Sequence, residues 1–496
     1  MRTSIFIFLT FLFALNLLNS QVPKIGTEFS VEIGSDSVFA LAGAFDSEKY
    51  LVIMRKELPT GGAQIIGQFL SKVDNSLIGS PILFGITNIP DTALEVGIPQ
   101  VAFDGSRFLV VWTDGEYGGI KYRFIDAKTF QLSNLYSDST LRCYLSGVST
   151  LHFNSVLNKY FLVFAIKSAG AYYLAGTFIR PDGYMEGSFQ ISNVPARKEY
   201  SLAYGSSKYL ICFIKEAGDY DNEVWGQIIS ESGYQIGGAF LIDGSSEPSD
   251  NPLFVTFDGA KFICFFPDEE ITGWKIYARF VSPDGVTQSG RNLITSNAHI
   301  LPYAVVNNDE ILFTCTGFEF SGNHLTSKVI GRFFDLSLSP KSDEFVVFDT
   351  LGIKNPVSCF AVYADGKYLA FTTRFRLSFR GDQLYLTDGD VYGVTISPIT
   401  KVESVSGSPL EFKLYQNYPN PFNPTTTIRF SLPQREHVTL KVFDILGREV
   451  ATLVNEELNS GEYSVVFEAK GLPSGVYFVR LQAGKFIQQN KMEMIK

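Results

Sequence analysis

The chain has 496 residues, of which 45% are hydrophobic and 14% aromatic, with 44 Phe, 24 Tyr, 43 Gly and 21 Pro. That length exceeds one small domain, and the bias toward aromatics and glycine suits pleated, half-buried strands and tight turns rather than helices. A formal net charge of −10 with no Lys/Arg-rich run argues against nucleic acid as a partner.

The N-terminus, "MRTSIFIFLTFLFALNLLNSQVP", places Arg2 ahead of an apolar run from Ile5 to Leu18 and then small and polar residues. This is the layout of a secretory signal peptide over residues 1–20, with the mature chain beginning near Gln21. The competing reading is an uncleaved anchor, but the run is shorter than the ~20 residues of a span, so no transmembrane segment is expected in the mature chain.

From Lys49 onward a phrase of one aromatic, one aliphatic and two further apolar residues recurs: "KYLVIM" at Lys49, "RFLVVW" at Arg107, "KYFLVF" at Lys159, "KYLICF" at Lys208, "KFICFF" at Lys261, "EILFTC" at Glu310 and "KYLAFT" at Lys367. A spacing of about 50 to 58 residues is that of a propeller or other repeat array. Within each unit a short apolar strand, a turn such as "FDGSR" or "FDGAK", the aligned strand, a polar loop, a third strand such as "IIGQFLS", a second turn such as "RPDGY" and a fourth strand such as "GGAFLID" predict a four-stranded antiparallel sheet. The Asp-Gly pairs can be read as calcium ligands or as hairpin turns. Their surroundings lack the spaced acids of a calcium loop and favour the turn.

The expected fold is therefore all-β: a seven-bladed β-propeller of four-stranded blades, followed by a small β-sandwich. An open solenoid is the alternative. The seventh unit lacks a fourth strand after "VYGVTISP", whereas "GTEFSVEIGS", residues 26–35, resembles the fourth strand "GGAFLIDGSS" and precedes the first unit. Pairing the two closes the ring and hides two edges. The repeats resemble those of secreted bacterial propeller proteins over about Val38 to Pro398, a likeness that implies fold and not function.

The loops between second and third strands are rich in acids and aromatics and share one face of such a ring. Asp114, Glu116, Tyr117, Asp219, Tyr220, Asp221, Trp225, Asp268, Glu269, Glu270 and Trp274 are the ligand-binding candidates: the rings to stack on sugars, the carboxylates to bind hydroxyls or, in pairs, to act as acid and base. The bland alternative is a solvated loop face whose Trp residues pack between blades. No residue is assigned a catalytic role, because no G-x-S-x-G, HExxH or phosphate-binding Gly-rich loop is present. His152, His299, His324 and His437 lie far apart, and the five cysteines, Cys143, Cys212, Cys264, Cys315 and Cys359, form no CxxC, so neither a metal nor another cofactor is expected. Buried thiols are the preferred reading of the cysteines, with one incidental disulfide as the alternative.

After Pro398 the repeats stop. Residues 401–411 read as a linker, and residues 412–496 as alternating strands sufficient for a small antiparallel sandwich. The words "NYPNPFNP", "DILGREV" and "LPSGVYFVRL", followed by a short basic end, resemble in their order the type A C-terminal sorting domain of type IX secretion substrates. The resemblance implies an Ig-like sandwich and places Tyr418, Pro419, Asn420, Pro421 and Phe422 in the opening motif and Gly475, Val476 and Tyr477 in the later hairpin. It implies that the type IX secretion machinery is a partner and that the protein reaches the medium or the cell surface through the periplasm. Locally, the prolines also make a stiff, turn-rich segment whatever else they do.

The repeat region, residues 21–400, is thus expected to be an extracellular binding module for a glycan, polymer or protein. An extracellular glycoside hydrolase or polysaccharide lyase is the second reading, and a structural surface scaffold the third.

Overall fold

The computed structural model describes residues 23–495, apart from residues 33–36, 60, 89–97, 116–117, 146–148, 169, 217–221, 245–252, 271–272, 297–298, 308, 322–323, 353, 365, 381–382, 398–402, 406–411 and 470. The expected signal peptide lies outside the described residues. The chain divides into two compact bodies, Met1–Pro398 and Ile399–Lys496.

The first body is a succession of antiparallel units. The first consists of Val38–Phe45, Lys49–Glu57, Ala63–Ser71 and Leu77–Thr87, and the second of Gln100–Phe103, Arg107–Thr113, Ile120–Asp126 and Tyr136–Asp138. Leu151–Asn154, Lys159–Ser168, Ala171–Ile179 and Phe189–Gln190 form the third, and Ala196–Gly205, Lys208–Glu216, Asn222–Ser230 and Gln235–Gly244 the fourth, the two joined by a lone bridge between Tyr172 and Ala196. The fifth is Phe254–Phe257, Phe262–Glu270, Gly273–Val281 and Asn292–Thr295, and the sixth His299–Val306, Ile311–Ser321, His324–Phe334 and Phe345–Phe348. The last comprises Lys354–Ala364, Lys367–Arg380 and Gln383–Ser397, and its outer edge is filled from the N-terminus by Lys24–Ile25 and Phe29–Glu32.

The recurring phrase is the second strand of each unit. In Arg107–Thr113 every residue after Arg107 is buried, as expected of a strand covered on both faces. The fourth strand of the first unit is mostly exposed: Leu77–Thr87 buries only Phe84 and Thr87. In the first, fourth and sixth units the third strand carries a glycine on which a fourth-strand ring packs. A Cβ on Gly67 would stand 2.7 Å from Phe84, on Gly226 2.9 Å from Phe240 and on Gly331 2.7 Å from Phe345. In the last unit the ring on Gly393 belongs to Phe29, only 2.4 Å from such a Cβ.

First strands adjoin one another from unit to unit, and Val38–Phe45 borders both Gln100–Phe103 and Lys354–Ala364. Ala40 N–H donates to Thr373 Oγ1 at 2.8 Å, linking the first unit to the last.

The Asp-Gly turns are hairpins held by their own side chains. Asp104 Oδ1 accepts the backbone N–H groups of Ser106 at 2.8 Å and Arg107 at 2.6 Å, and Asp258 Oδ1 accepts those of Ala260 at 2.9 Å and Lys261 at 2.8 Å. Where the turn residue is asparagine, its amide also reaches the next unit: Asn154 Nδ2 donates to Tyr209 OH at 3.1 Å and Asn307 Nδ2 to Tyr368 OH at 2.8 Å, both tyrosines being fully buried. All five cysteines are buried free thiols.

The second body has two sheets, one of Glu403–Val405, Gly461–Glu468, Thr425–Leu432 and Lys413–Leu414, the other of Glu449–Leu458, Glu436–Asp444, Gly475–Ala483 and Phe486–Met494. Inward residues of both, among them Ile428, Phe430, Leu440, Val442, Val479 and Leu481, form one core.

Candidate functional site

Of the expected binding residues, Glu116, Tyr117, Asp219, Tyr220 and Asp221 lie outside the described residues. Asp114 opens the turn after Arg107–Thr113, where its Oδ2 pairs with Lys121 Nζ at 2.7 Å and its Oδ1 accepts from Asn88 Nδ2 at 3.3 Å.

The remaining candidates stand on strands rather than in loops. Phe262–Glu270 and Gly273–Val281 run almost to their tip, so Asp268, Glu269, Glu270 and Trp274 all belong to the hairpin. Likewise "FEFSGNH" and "RFRLSFRGDQLYLTDGD", which join second and third strands in the sixth and last units, fall mostly within paired strands. Polar residues alternating along a two-residue period look like a loop when half of them face solvent. That period also sorts the candidates. Glu269 and Trp274 are cross-strand partners on one face, with Glu269 exposed and Trp274 half-buried. Asp268 and Glu270 project from the other.

On that second face the structure gathers residues that sequence reasoning missed. Asp268 Oδ2 accepts from Arg291 Nη1 at 2.7 Å, and Arg291 Nε donates to Asp243 Oδ1 at 3.0 Å, its Nη2 also meeting Asp243 Oδ2. Arg279 lies 2.7 Å from the same Asp243 oxygen. Glu270 binds Lys275 Nζ at 2.5 Å and the Tyr277 hydroxyl. Asp243 belongs to the fourth unit and Arg291 to the fifth, so the guanidinium ties two sheets together. The one sequence signal for this was an aspartate ending the otherwise apolar fourth strand "GGAFLID".

Burial raises the carboxyl pKa of Asp268 against the opposing pull of Arg291, whereas the Lys275 ammonium, followed by the Tyr277 hydroxyl, lowers that of Glu270. The Glu270 bond pushes Tyr277 up to about 12. Two carboxyls with environments pushed apart are what an acid–base pair requires. Here Asp268 is clamped by Arg291 and both Glu270 oxygens are taken, an arrangement suited to holding sheets rather than to exchanging protons with a substrate.

Trp225 is half-buried in the fourth unit. Its indole N–H donates to Glu223 Oε2 at 2.9 Å, and Lys215, bound to the same oxygen at 2.9 Å, lies 4.4 Å from the indole ring centre. One ring face is therefore already occupied by a cation.

Among the described residues no group of three or more His, Cys, Asp or Glu is placed to hold a metal ion. His152 instead stacks on Tyr204, ring centres 4.6 Å apart, and burial lowers its pKa to about 4. The unfolded chain binds this proton below about pH 6.5, while the folded protein resists it until about pH 4, so stability falls as pH drops through that window. His152→Phe, which keeps the stacking, is expected to remove up to roughly 3 kcal/mol of this acid sensitivity, read from urea unfolding at pH 7 and pH 4.5.

In the second body the separated motifs converge on the end of the last strand. Gly475, Val476 and Tyr477 pair with Met494, Glu493 and Met492. On the other side Phe422 bridges to Met494, its N–H donating to Glu493 O at 2.9 Å, and Asn420 Oδ1 accepts the Glu493 N–H at 2.8 Å. Phe422 and Tyr477 are buried, the latter donating its hydroxyl to Pro473 O at 2.7 Å. Pro419 O accepts from Thr426 Oγ1 at 2.7 Å, while Tyr418 is 82% exposed. The peptide bonds preceding Pro419 and Pro421 are both cis.

Residues 416–496 match the family model of the secretion system C-terminal sorting domain. This portion is a type IX sorting domain, which implies handling by the type IX machinery and secretion across the outer membrane to the cell surface or the medium. Among the described residues no helix is long and apolar enough to cross a membrane. No curated protein matches the chain. Among solved structures, the polysaccharide lyase Uly1 is similar at 10% identity and a TM-score of 0.47, over 75% of this chain and 99% of that one. The β-propeller domain of the Trilobed protease from Pyrococcus furiosus is similar at 10% identity and a TM-score of 0.41, over 71% and 97%. A puromycin hydrolase is similar at 10% identity and a TM-score of 0.44, over 80% and 60%.

Proposed function

We propose that this is an exported seven-bladed β-propeller, closed by its N-terminal strand, that binds a glycan, polymer or protein outside the cell. In this reading a signal peptide of residues 1–20 precedes a propeller of residues 21–400, a linker of residues 401–411, whose Glu403–Val405 adds a strand to the sheet that follows, and a type A, Ig-like sorting domain of residues 412–496. The single observation behind binding rather than hydrolysis is that Asp268 and Glu270, the paired acids among the described candidates, are already held by Arg291, Lys275 and Tyr277. Glu269 and Trp274 stand side by side on the opposite face, a carboxylate beside an aromatic ring of the kind that holds sugar hydroxyls and a sugar face. The first strands, adjoining in sequence order with Lys354–Ala364 beside Val38–Phe45, support a closed ring.

The expected result with the exported protein is binding on a glycan array without release of reducing sugar or unsaturated products from the bound polymer. Turnover would overturn the binding reading in favour of a hydrolase or lyase. Silence in both assays would leave the scaffold.

A further inference from the structure

We propose that the hairpin of Glu436–Asp444 and Glu449–Leu458, with the adjoining strand Gly475–Ala483, is the surface that docks the sorting domain on its exporter, and that it fits a protein face presenting a carboxylate beside an apolar pocket. The inference rests on the sorting role of residues 416–496 and names the part of the domain that makes contact.

The hairpin tip is rigid and apolar. Asp444 Oδ1 accepts the backbone N–H groups of Leu446 at 2.9 Å and Arg448 at 3.0 Å, Arg448 Nε pairs with Asp444 Oδ2 at 2.6 Å, and Gly447 takes a positive φ of 77°. Turn centres favour small and polar residues. Here they are Ile445 and Leu446, 72% and 74% exposed, which gain nothing from this position within the domain.

Beside the tip lies an open concavity of about 370 Å³ lined by Thr439, Lys441, Phe443, Glu449, Arg480 and Gln482. Lys441 and Arg480 face each other directly across neighbouring strands, an unfavourable placement for like charges. Glu449 answers Lys441 at 2.8 Å. Among the described residues, Arg480 hydrogen-bonds only the neutral amide oxygen of Gln489, at 3.0 and 2.9 Å, and lies 4.7 Å from the Phe443 ring centre. The groove thus carries one cation more than its carboxylate balances, and a partner's carboxylate would complete it. Residues 412–496 hold ten Lys and Arg against eight Asp and Glu in a chain whose net charge is −10.

The position of this surface gives its use. Asp444 pairs with Tyr477, Gly475 with Met494, and Phe422 bridges to Met494, so the three sorting motifs meet at the end of the domain that bears the tip. Their buried members build that end, and Ile445 and Leu446 present it.

The test uses the full chain in a type IX-competent host, measuring protein released to the medium against protein retained in the periplasm. Ile445→Ser combined with Leu446→Ser, and separately Arg480→Glu, are each expected to lower release at least about tenfold, the effect of removing a central contact. Thermal unfolding of the purified variants should be unchanged, since both aliphatics are exposed and the new glutamate would face Lys441. Val466→Ser, on the domain's other sheet and 55% exposed in the wild type, should be released normally. Normal release of both test variants, with a chain lacking residues 412–496 retained, would overturn the docking surface and leave the sorting role intact. Release of the truncated chain would overturn both. Equal impairment by Val466→Ser would also overturn the proposed protein contact.

Discussion

A chain lacking residues 23–32 is expected to lose most of its propeller stability, with thermal unfolding of Met1–Pro398 shifted far down or no cooperative transition at all. Three losses fall on the same strand and its neighbours. The strand Gln383–Ser397 forfeits its outer neighbour and becomes a long open edge, since Phe29 and Ser30 pair with Gly393 and Tyr392. Gly393 forfeits the ring that fills its missing side chain, and Val31, only 2% exposed, is removed from the core. Arg374, also 2% exposed, forfeits the Glu28 carboxylate that binds its two terminal nitrogens at 2.7 and 2.8 Å. The Glu28 side chain is itself 35% exposed, so leaving the buried guanidinium without it costs about 1–3 kcal/mol by itself, against a typical domain stability of roughly 5–15 kcal/mol. Arg374 keeps its bond to Asp349 O at 2.9 Å and its place 4.7 Å from the Tyr392 ring centre, so Glu28→Gln should show only part of the loss. An added peptide of residues 21–36 should restore part of the transition. Unchanged unfolding of the deleted chain would mean that this strand does not close the ring.

The same segment shows why so much of the fold was legible. Phe29 in "GTEF" and Phe240 in "GGAF" occupy the same place against a third-strand glycine, so a likeness of four letters reported a shared packing contact between positions more than 200 residues apart. The Asp-Gly turns were legible for a local reason, because the aspartate caps amides two and three residues on. The candidate site was less legible. Strand tips with alternating acids and aromatics carry the composition of loops, so Asp268 and Trp274 were assigned to one surface although they face opposite ways. Nor does spacing announce that Asp243, Asp268 and Arg291 meet, because the contact is set by how two neighbouring sheets pack.

Arg291→Met is expected to destabilise the protein by about 3–5 kcal/mol at pH 7, and the size of that loss separates the two roles open to Asp268. If Arg291 is a clamp, its removal leaves the Asp268 carboxylate, whose side chain is 6% exposed, buried without its partner, while Asp243 retains Arg279. The sign with pH follows. Asp268 already has its pKa raised by burial, and removing the guanidinium that opposed this shift raises it further. An acid whose folded pKa lies above its unfolded value is protonated in the folded state first, so stability declines as pH rises through the interval between the two. The penalty of Arg291→Met should therefore be largest at neutral pH and shrink toward pH 4.5 in urea unfolding. Adding Asp268→Asn removes the buried charge and should recover much of the loss, although one hydrogen bond stays unmade. An Asp268 kept for proton transfer predicts the reverse: little change in unfolding for Arg291→Met, and loss of a hydrolytic activity in Asp268→Asn. Because Arg291 joins the fourth unit to the fifth, a stability loss without any activity to lose would identify this acid pair as part of what holds the units together. The search for a ligand would then move to the face of Glu269 and Trp274.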